Sequence, residues 1–223
     1  LVGGAGNDII TDLGGDDNIK GGDGDDVISG GNGFDLIIAG NGNDFIIAGE
    51  DPKEVFGNAG NDFILGSSTF DTFFGDQGDD WLDGGGQADL LQGDMGDPFQ
   101  QSTVIGHDVI IGGGGNDDYD SESGDDIMVM ASGTQRAEGQ LGFDWAINKN
   151  DASGAAIDFA FTGLLPATLD NLKDRFDNVE AASGWNNNDV LRGDNFTAVQ
   201  LLNPAVPGNL DTNHAINTVE QIA

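Results

Sequence analysis

The sequence predicts an all-β solenoid of short parallel strands, and three observations support this prediction. A nine-residue pattern begins at Gly3 and runs through 16 windows to Ile147, with one extra residue near Pro98. The sixth place of a window is Asp in 13 of the 16, although 34 Asp residues among 223 would place only two or three there by composition. The eighth place is almost always a large apolar residue. A short fixed period is typical of repeat units that bury their apolar side only by stacking on neighbours.

The window Gly21–Ser29 shows how one repeat folds. Glycines at places one, two and four allow positive φ angles and leave backbone carbonyls exposed. The last three residues form a strand, and alternation then points place eight inward and places seven and nine outward. Two windows make one coil of 18 residues, and the eighth-place residues form the predicted core: Ile10, Ile19, Ile28, Ile37, Ile46, Val55, Ile64, Phe73, Leu82, Leu91, Ile110, Tyr119 and Met128.

The sixth-place carboxylates predict metal binding. Equivalent turns stack at the inter-strand spacing of about 4.8 Å, so the Asp of one window meets the Asp two windows later. A hard dication such as Ca²⁺ takes six to eight oxygen ligands from carboxylates and carbonyls, and a glycine-rich turn ending in Asp supplies both. The predicted carboxylate ligands are Asp8, Asp17, Asp26, Asp35, Asp44, Asp62, Asp71, Asp80, Asp89, Asp108, Asp117, Asp126 and Asp144.

Counting alternate windows gives two edges of stacked Asp residues. One edge carries Asp8, Asp26, Asp44, Asp62 and Asp80, breaks at Pro98, resumes at Asp117 and is lost at Gln135. The other carries Asp17 and Asp35, breaks at Lys53, and continues with Asp71, Asp89, Asp108, Asp126 and Asp144. Unbroken pairs number four and five, so we expect about nine or more Ca²⁺ ions. Occupancy of the degenerate windows 48–56, 93–102 and 130–138 stays open.

Residues 3–147 closely resemble the RTX (repeats-in-toxin) β-roll of proteins exported by type I secretion. The resemblance implies a right-handed parallel β-roll in which carbonyls of places one to four join the Asp ligands. Carried over, Gly21, Asp23 and Asp26 bind an ion together with Gly40, Gly42 and Asp44 of the next turn, whose first place is Ala39. The other implied carbonyl ligands belong to Gly3, Ala5, Gly30, Asn32, Asn41, Gly57, Ala59, Gly75, Gln77, Gly84, Gly86, Gly112, Gly114, Ser121 and Ser123.

Lys53 and His107 each allow two interpretations. The Lys53 ammonium could replace a cation between Asp35 and Asp71, or window 48–56 could form a bulged surface turn, which is the favoured interpretation. His107 occupies the variable fifth place beside Asp108 and is interpreted as a turn residue rather than a ligand.

Composition limits the function. The net charge of −33 divides into −27 for 1–147 (3 basic and 30 acidic residues) and −6 for 148–223 (4 basic and 10 acidic residues). Such a polyanion repels nucleic acid and acidic membranes, and without metal it repels itself. The absence of cysteine excludes disulfides and thiolate chemistry, and no run approaches the length of a membrane span. Because the chain opens within a repeat, we expect a fragment of a longer protein, monomeric by itself.

Several outward positions are apolar where a free coil should be polar, among them Phe45, Phe63 and Trp81. An apolar stripe of this size is normally covered. The favoured cover is residues 148–223 folding back, and the alternative is a neighbouring domain of the parent protein or a partner.

Residues 148–223 are predicted to form a mixed α/β capping segment. Residues 156–162 alternate as a strand, and Leu169–Phe176 places apolar residues on one helical face. Residues 184–194 contain one further RTX-like turn, with Asp189 and Leu191 in register. The stretch 174–194 weakly resembles segments that accompany RTX arrays in large bacterial haem peroxidases.

The leading hypothesis is a non-catalytic Ca²⁺-binding structural module that folds on Ca²⁺ binding after type I secretion and supports a neighbouring domain. The alternative is an adhesin segment that binds a partner through Phe45, Phe63 and Trp81. An enzyme is disfavoured because no converging acid, base or nucleophile remains once the Asp residues are assigned as ligands. The resemblance implies a secreted bacterial protein, extracellular or on the cell surface.

Overall fold

The computed structural model describes residues 1–94, 106–149, 156–158, 174–184, 186 and 190–192. Two nine-stranded parallel sheets run the length of these residues, and the chain alternates between them. The first sheet contains β1 (Val2–Ala5), β3 (Asn18–Asp23), β5 (Asp35–Asn41), β7 (Lys53–Ala59), β9 (Thr72–Gln77), β11 (Leu90–Asp94), β13 (Asp118–Asp120), β15 (Arg136–Glu138) and β18 (Arg175–Asp177). The second contains β2 (Ile9–Thr11), β4 (Val27–Ser29), β6 (Phe45–Ile47), β8 (Phe63–Ser67), β10 (Trp81–Gly85), β12 (Val109–Ile111), β14 (Ile127–Met130), β16 (Trp145–Asn148) and β19 (Ala181–Ser183).

The register of the sheets confirms a coil of two repeats. Ile10 pairs with Ile28 and Ile28 with Ile46, a step of 18 residues each time. The result is an all-β parallel solenoid of about eight turns, and no helix occurs within the described ranges. No described segment forms a helix long and apolar enough to cross a membrane.

The eighth-place residues form the core, as the alternation predicts. All 13 predicted core residues are buried, and 12 of them have no exposed surface. Their neighbours at places seven and nine lie outward, as in β6, where Ile46 is buried between exposed Phe45 and Ile47. Full burial of one such aliphatic side chain contributes roughly 1.5–3 kcal/mol.

Stacking of the turns explains the glycines and the fifth-place residues. Gly22 has a φ of +128°, and a Cβ there would lie 1.9 Å from the carbonyl oxygen of Gly4 in the turn above. A non-glycine residue would therefore force the turns apart. At the fifth place, a side-chain acceptor receives the backbone N–H of the next turn, as Asn7 does from Asp25 at 3.1 Å. His107 fits this role because its Nδ1 accepts the N–H of Asp125 at 2.8 Å, which agrees with a turn residue.

The predicted register is wrong after β11. Trp81 pairs with Val109 and Leu90 with Asp118, so the step across this point is 28 residues instead of 18. The paired strands on either side are thus ten residues further apart in sequence than one coil requires. The two edges therefore exchange their later members, and most of window 93–102 lies outside the described residues.

The C-terminal described residues correct the predicted cap. Arg175 and Phe176, assigned above to a helix, lie in β18, which extends the first sheet, and β19 extends the second. Within the predicted turn at 184–194, the described residues of β20 (Val190–Arg192) pair with β17 (Ala156–Asp158) in a separate two-stranded sheet. The remainder of the predicted strand, helix and turn lies outside the described residues.

Candidate metal sites

Each sixth-place Asp from the second coil onwards is held by one of its two carboxylate oxygens. Its Oδ1 accepts the backbone N–H of the sixth-place residue one coil earlier, as Asp26 does from Asp8 at 2.7 Å. Ten such bonds join two Asp residues, seven on one side of the roll and three on the other.

The two sides differ in continuity, and we name them accordingly. The long column precedes the strands of the second sheet and is unbroken: Asp8, Asp26, Asp44, Asp62, Asp80, Asp108, Asp126 and Asp144. The interrupted column precedes the strands of the first sheet: Asp17, Asp35, Lys53, Asp71, Asp89, Asp117, Gln135 and Asp174. The predicted pair of Asp89 with Asp108 is therefore wrong, since Asp89 meets Asp117 and Asp80 meets Asp108.

The second oxygen of these carboxylates has no hydrogen-bond donor. Buried polar atoms are nearly always paired, and an unpaired buried carboxylate oxygen is costly. Eleven sixth-place residues bury an Oδ2 atom without a donor: Asp8, Asp26, Asp35, Asp44, Asp62, Asp80, Asp89, Asp108, Asp117, Asp126 and Asp144. A cation bound beside these two rows of Oδ2 atoms would compensate for the missing hydrogen-bond donors.

First-place glycines lack the Cβ that would otherwise press against these oxygens and fill the space beside them. A Cβ added to Gly57 would lie 2.3 Å from Oδ2 of Asp62 and 2.7 Å from the carbonyl oxygen of Gly75 in the next coil. A Cβ on Gly93 would likewise lie 2.2 Å from Oδ2 of Asp108 and 2.9 Å from the carbonyl oxygen of Ser121. The space is thus framed by carboxylate and carbonyl oxygens, the ligand set that Ca²⁺ prefers.

Lys53 marks the place of a cation. Its Nζ donates to the carbonyl oxygens of Gly33 at 2.6 Å and Asp51 at 2.8 Å, and lies 3.5 Å from Oδ2 of Asp35. Both charged side chains are fully buried, so the favoured interpretation of a bulged surface turn is wrong. The ammonium is a stand-in ion that lies among a sixth-place carboxylate and two fourth-place carbonyls.

Gln135 replaces a carboxylate and a cation with one amide. Its Oε1 accepts the N–H of Asp117 at 2.6 Å, as a sixth-place Asp would, and its Nε2 donates to the carbonyl of Gly115 at 3.0 Å. Gly115 holds the fourth place, like Gly33 opposite Lys53. Two unrelated side chains therefore direct donors at the same carbonyl position, which is the position implied to bind metal.

Asp71 is satisfied differently. Its Oδ2 accepts the backbone N–H of Ser67 at 3.1 Å and lies 3.4 Å from the Ser67 hydroxyl. This carboxylate oxygen already has donors, unlike its neighbours in the columns. Between Lys53 and Asp71, the chain thus supplies its own ammonium group and its own hydrogen-bond donors.

Burial strongly perturbs the carboxylates when no cation is present. Burial raises the pKa of Asp62 to about 7 and that of Asp80 to about 8. Burial also raises the pKa of Asp108, Asp126 and Asp144 well above the ordinary value, and neighbouring carboxylates add to this effect. A divalent cation would remove this penalty by stabilising the ionised forms.

The predicted carbonyl ligands fall into two groups. First-place carbonyls of Gly21, Ala39, Gly75 and Ser121 lie beside the space next to Oδ2. Third-place carbonyls accept a backbone N–H from the preceding coil, and they include Asp23, Asn32, Asn41, Ala59 and Gln77. Ligand roles for both groups stay predictions.

Four acidic residues in or beside the columns were missed in the sequence. Asp174 and Glu180 accept the N–H groups of Gln135 at 2.9 Å and Asp144 at 3.0 Å, and so act as sixth-place residues of the closing turn. The signal for Asp174 was its spacing from buried Phe176, the same spacing as in every repeat. Asp94 is buried, accepts the Ser123 hydroxyl at 2.8 Å, and leaves Oδ1 without a donor. The fourth is Asp12, at a first place.

Comparison with known families agrees with this geometry. The family model of the RTX calcium-binding nonapeptide repeat (4 copies) matches residues 2–37, 20–51, 56–91, 65–98 and 105–128. These matches together cover more than half of the 223 residues. No curated protein matched the chain, so the resemblance of its C-terminal part to haem peroxidases stays a prediction. The chain belongs to the family of RTX Ca²⁺-binding nonapeptide repeat proteins, and its repeats form the Ca²⁺-binding β-roll.

Proposed function

We propose that this chain is a structural module that folds when it binds Ca²⁺ outside the cell and then supports a neighbouring domain of the same protein. The observation that carries the proposal is the long column, in which eight stacked carboxylates each bury an oxygen without a hydrogen-bond donor. Ca²⁺ bound along this column would join consecutive coils, because carboxylate and carbonyl oxygens of both coils face the same space.

Metal binding and folding are expected to be one process. Without cations, residues 1–147 carry 30 acidic and only 3 basic side chains, and many of the carboxylates are buried in the fold. The unfolded chain keeps these charges apart and hydrated, so it should prevail without metal. Because the complete site exists only in the folded state, the free energy of Ca²⁺ binding contributes directly to folding.

This coupling suits a protein that crosses a membrane unfolded and folds afterwards. Modules that act outside the cell need only the weak affinities, about 10⁻⁴–10⁻³ M, that match extracellular Ca²⁺. The repeats belong to a family typical of secreted bacterial proteins. Secretion, extracellular folding and support of a neighbouring domain together form the proposal. The described residues contain ten stacked Asp pairs, so we expect about ten bound Ca²⁺ ions.

Far-UV circular dichroism against Ca²⁺, from micromolar to tens of millimolar with Mg²⁺ as the control, tests this function. We expect a cooperative gain of β signal with Ca²⁺ and little with Mg²⁺, which demands near-ideal octahedral geometry at shorter distances. A chain that is already folded in chelator would contradict the proposal.

A second candidate function rests on an exposed row of aromatic rings. Phe45 and Phe63 stack with ring centroids 5.1 Å apart, and Phe63 and Trp81 stack at 6.0 Å. Phe45 and Trp81 are each 40% exposed on the outer face of the second sheet. These rings could bind a partner, as an adhesin segment would. Pull-down of a surface partner by the Ca²⁺-loaded chain, lost in Phe63→Ala, would favour this candidate over a structural support.

A catalytic role has no support among the described residues. Their buried carboxylates are arranged as repeats of one site rather than as a converging acid, base and nucleophile. The family itself is generally a non-catalytic structural module.

A further inference from the structure

Asp12 occupies the first place of its turn, where most repeats have glycine. At the first-place glycines, a Cβ would point at Oδ2 of the Asp in the same turn, at 2.7 Å for Gly3 and 2.4 Å for Gly21. A first-place side chain therefore enters the space proposed for the cation. Asp12 brings a third carboxylate into this space.

The side chains of Asp12, Asp17 and Asp35 converge. One carboxylate oxygen from each lies within 4.8 Å of the other two, a separation that one ion can span. Within the described residues, this is the one group of three acidic or imidazole side chains that meets this distance.

An independent observation also points to a ligand. Asp35 is fully buried, and its Oδ2 has no hydrogen-bond donor. The buried Oδ2 of Asp12 also lacks a donor. Two carboxylate oxygens from consecutive coils are thus enclosed together without a hydrogen-bond donor. The Lys53 ammonium, 3.5 Å from Oδ2 of Asp35, balances only one of their charges, so repulsion remains unless a further cation lies nearby.

The charges give the valence of that cation. Three ionised carboxylates carry −3, and the Lys53 ammonium, 3.5 Å from Oδ2 of Asp35, contributes +1. The remaining −2 is balanced by one divalent ion. Lys53 also closes the site on the side of the next coil, because its Nζ already uses the carbonyls of Gly33 and Asp51.

We infer that Asp12, Asp17 and Asp35 form a three-carboxylate Ca²⁺ site at the point where the interrupted column meets the Lys53 ammonium. This inference rests on the proposed Ca²⁺-binding function and deepens it. The substitution at place one is then an added ligand rather than a decayed glycine. The third carboxylate offsets the charge of the Lys53 ammonium, so its removal should lower the Ca²⁺ affinity of this site.

The test compares Asp12→Gly and Asp12→Asn with Glu50→Gln, in competition with a chromophoric Ca²⁺ chelator. Asp12→Gly restores the residue typical of the repeat, and Glu50→Gln removes one exposed charge nearby and serves as the matched control. We expect each Asp12 variant to bind one Ca²⁺ ion with an affinity about tenfold or more lower than in the unaltered chain. Glu50→Gln should leave the affinity for this ion unchanged. Circular dichroism at saturating Ca²⁺ verifies that each variant folds.

The outcomes separate this inference from the proposed function. If the unaltered chain folds with Ca²⁺ and the Asp12 variants titrate like Glu50→Gln, the three-carboxylate site is excluded and the proposed function stands. If Asp12→Gly binds Ca²⁺ more tightly, Asp12 obstructs an ordinary site and the inference is also overturned. If the unaltered chain neither binds Ca²⁺ nor folds with it, the proposed function fails first.

Discussion

Nζ of Lys53 lies 3.5 Å from Oδ2 of Asp35, and both side chains are completely buried. The ammonium also donates to two backbone carbonyls, so it takes over the contacts expected of a metal ion. The ammonium group of Lys53 thus serves as a built-in cation in the middle of the interrupted column. This coil contact should form without added metal.

Lys53→Met should destabilise the Ca²⁺-loaded roll by about 3–5 kcal/mol, because it removes one partner of a buried ion pair and leaves the carbonyls of Gly33 and Asp51 without this donor. Lys20→Met is the matched control, since Lys20 is exposed on the same sheet. Urea unfolding at saturating Ca²⁺ measures both free energies. Equal losses in the two variants would show that the buried ion pair has no special role.

Asp62→Asn should reduce the number of bound Ca²⁺ ions by one or two. The asparagine Oδ1 can still accept the N–H of Asp44, now at 2.7 Å, but an NH₂ group replaces the Oδ2 that has no donor. Asp79→Asn is the matched control, because it keeps the acceptor for the N–H of His107 and lies outside the columns. Isothermal titration calorimetry gives the stoichiometry. An unchanged count for Asp62→Asn would exclude Oδ2 as a ligand.

The metal-free fold should become less stable as pH rises. Burial raises the pKa of Asp62 to about 7, of Asp89 to about 7 and of Asp80 to about 8, whereas the unfolded chain has ordinary carboxyl values. The folded state therefore binds more protons between about pH 4 and pH 8, and its stability falls across that window. Protons also compete with Ca²⁺.

Two measurements check this pH dependence. In chelator, the β signal in circular dichroism should be larger at pH 5 than at pH 8. The Ca²⁺ concentration at the folding midpoint should rise as pH falls from 8 to 5.5. A midpoint that does not change over this range would contradict ionisation of these carboxylates on metal binding.

Phe176→Ala should destabilise the roll by about 3–5 kcal/mol, and Leu191→Ala should have little effect. Phe176 is only 2% exposed at the inward place of β18, whereas Leu191 is 47% exposed in β20. Thermal or urea unfolding with Ca²⁺ present compares the pair. A larger loss for Leu191→Ala would show that β20, rather than β18, carries the packing that closes the roll.

Local features of the repeat were readable from the chain alone. Inward eighth-place residues such as Ile28 and Ile46 and sixth-place residues such as Asp26 follow from a period of nine, because strand alternation and turn glycines act within one window. The two-window coil follows from the same alternation. The all-oxygen ligand set needs only the residue types.

The pairing of the Asp columns and the burial of Lys53 depend on which coils stack on each other, and the sequence of a single window does not contain that information. A step that is ten residues longer than a coil, one more than a window, exchanges the columns after Asp94, so Asp108 stacks on Asp80 instead of Asp89. The buried position of Lys53 likewise depends on the carbonyl of Gly33 and the carboxylate of Asp35, both in the preceding coil. Stacking of coils that are distant in sequence sets these contacts, and it places the Lys53 ammonium of a degenerate repeat where other repeats are expected to hold a metal ion.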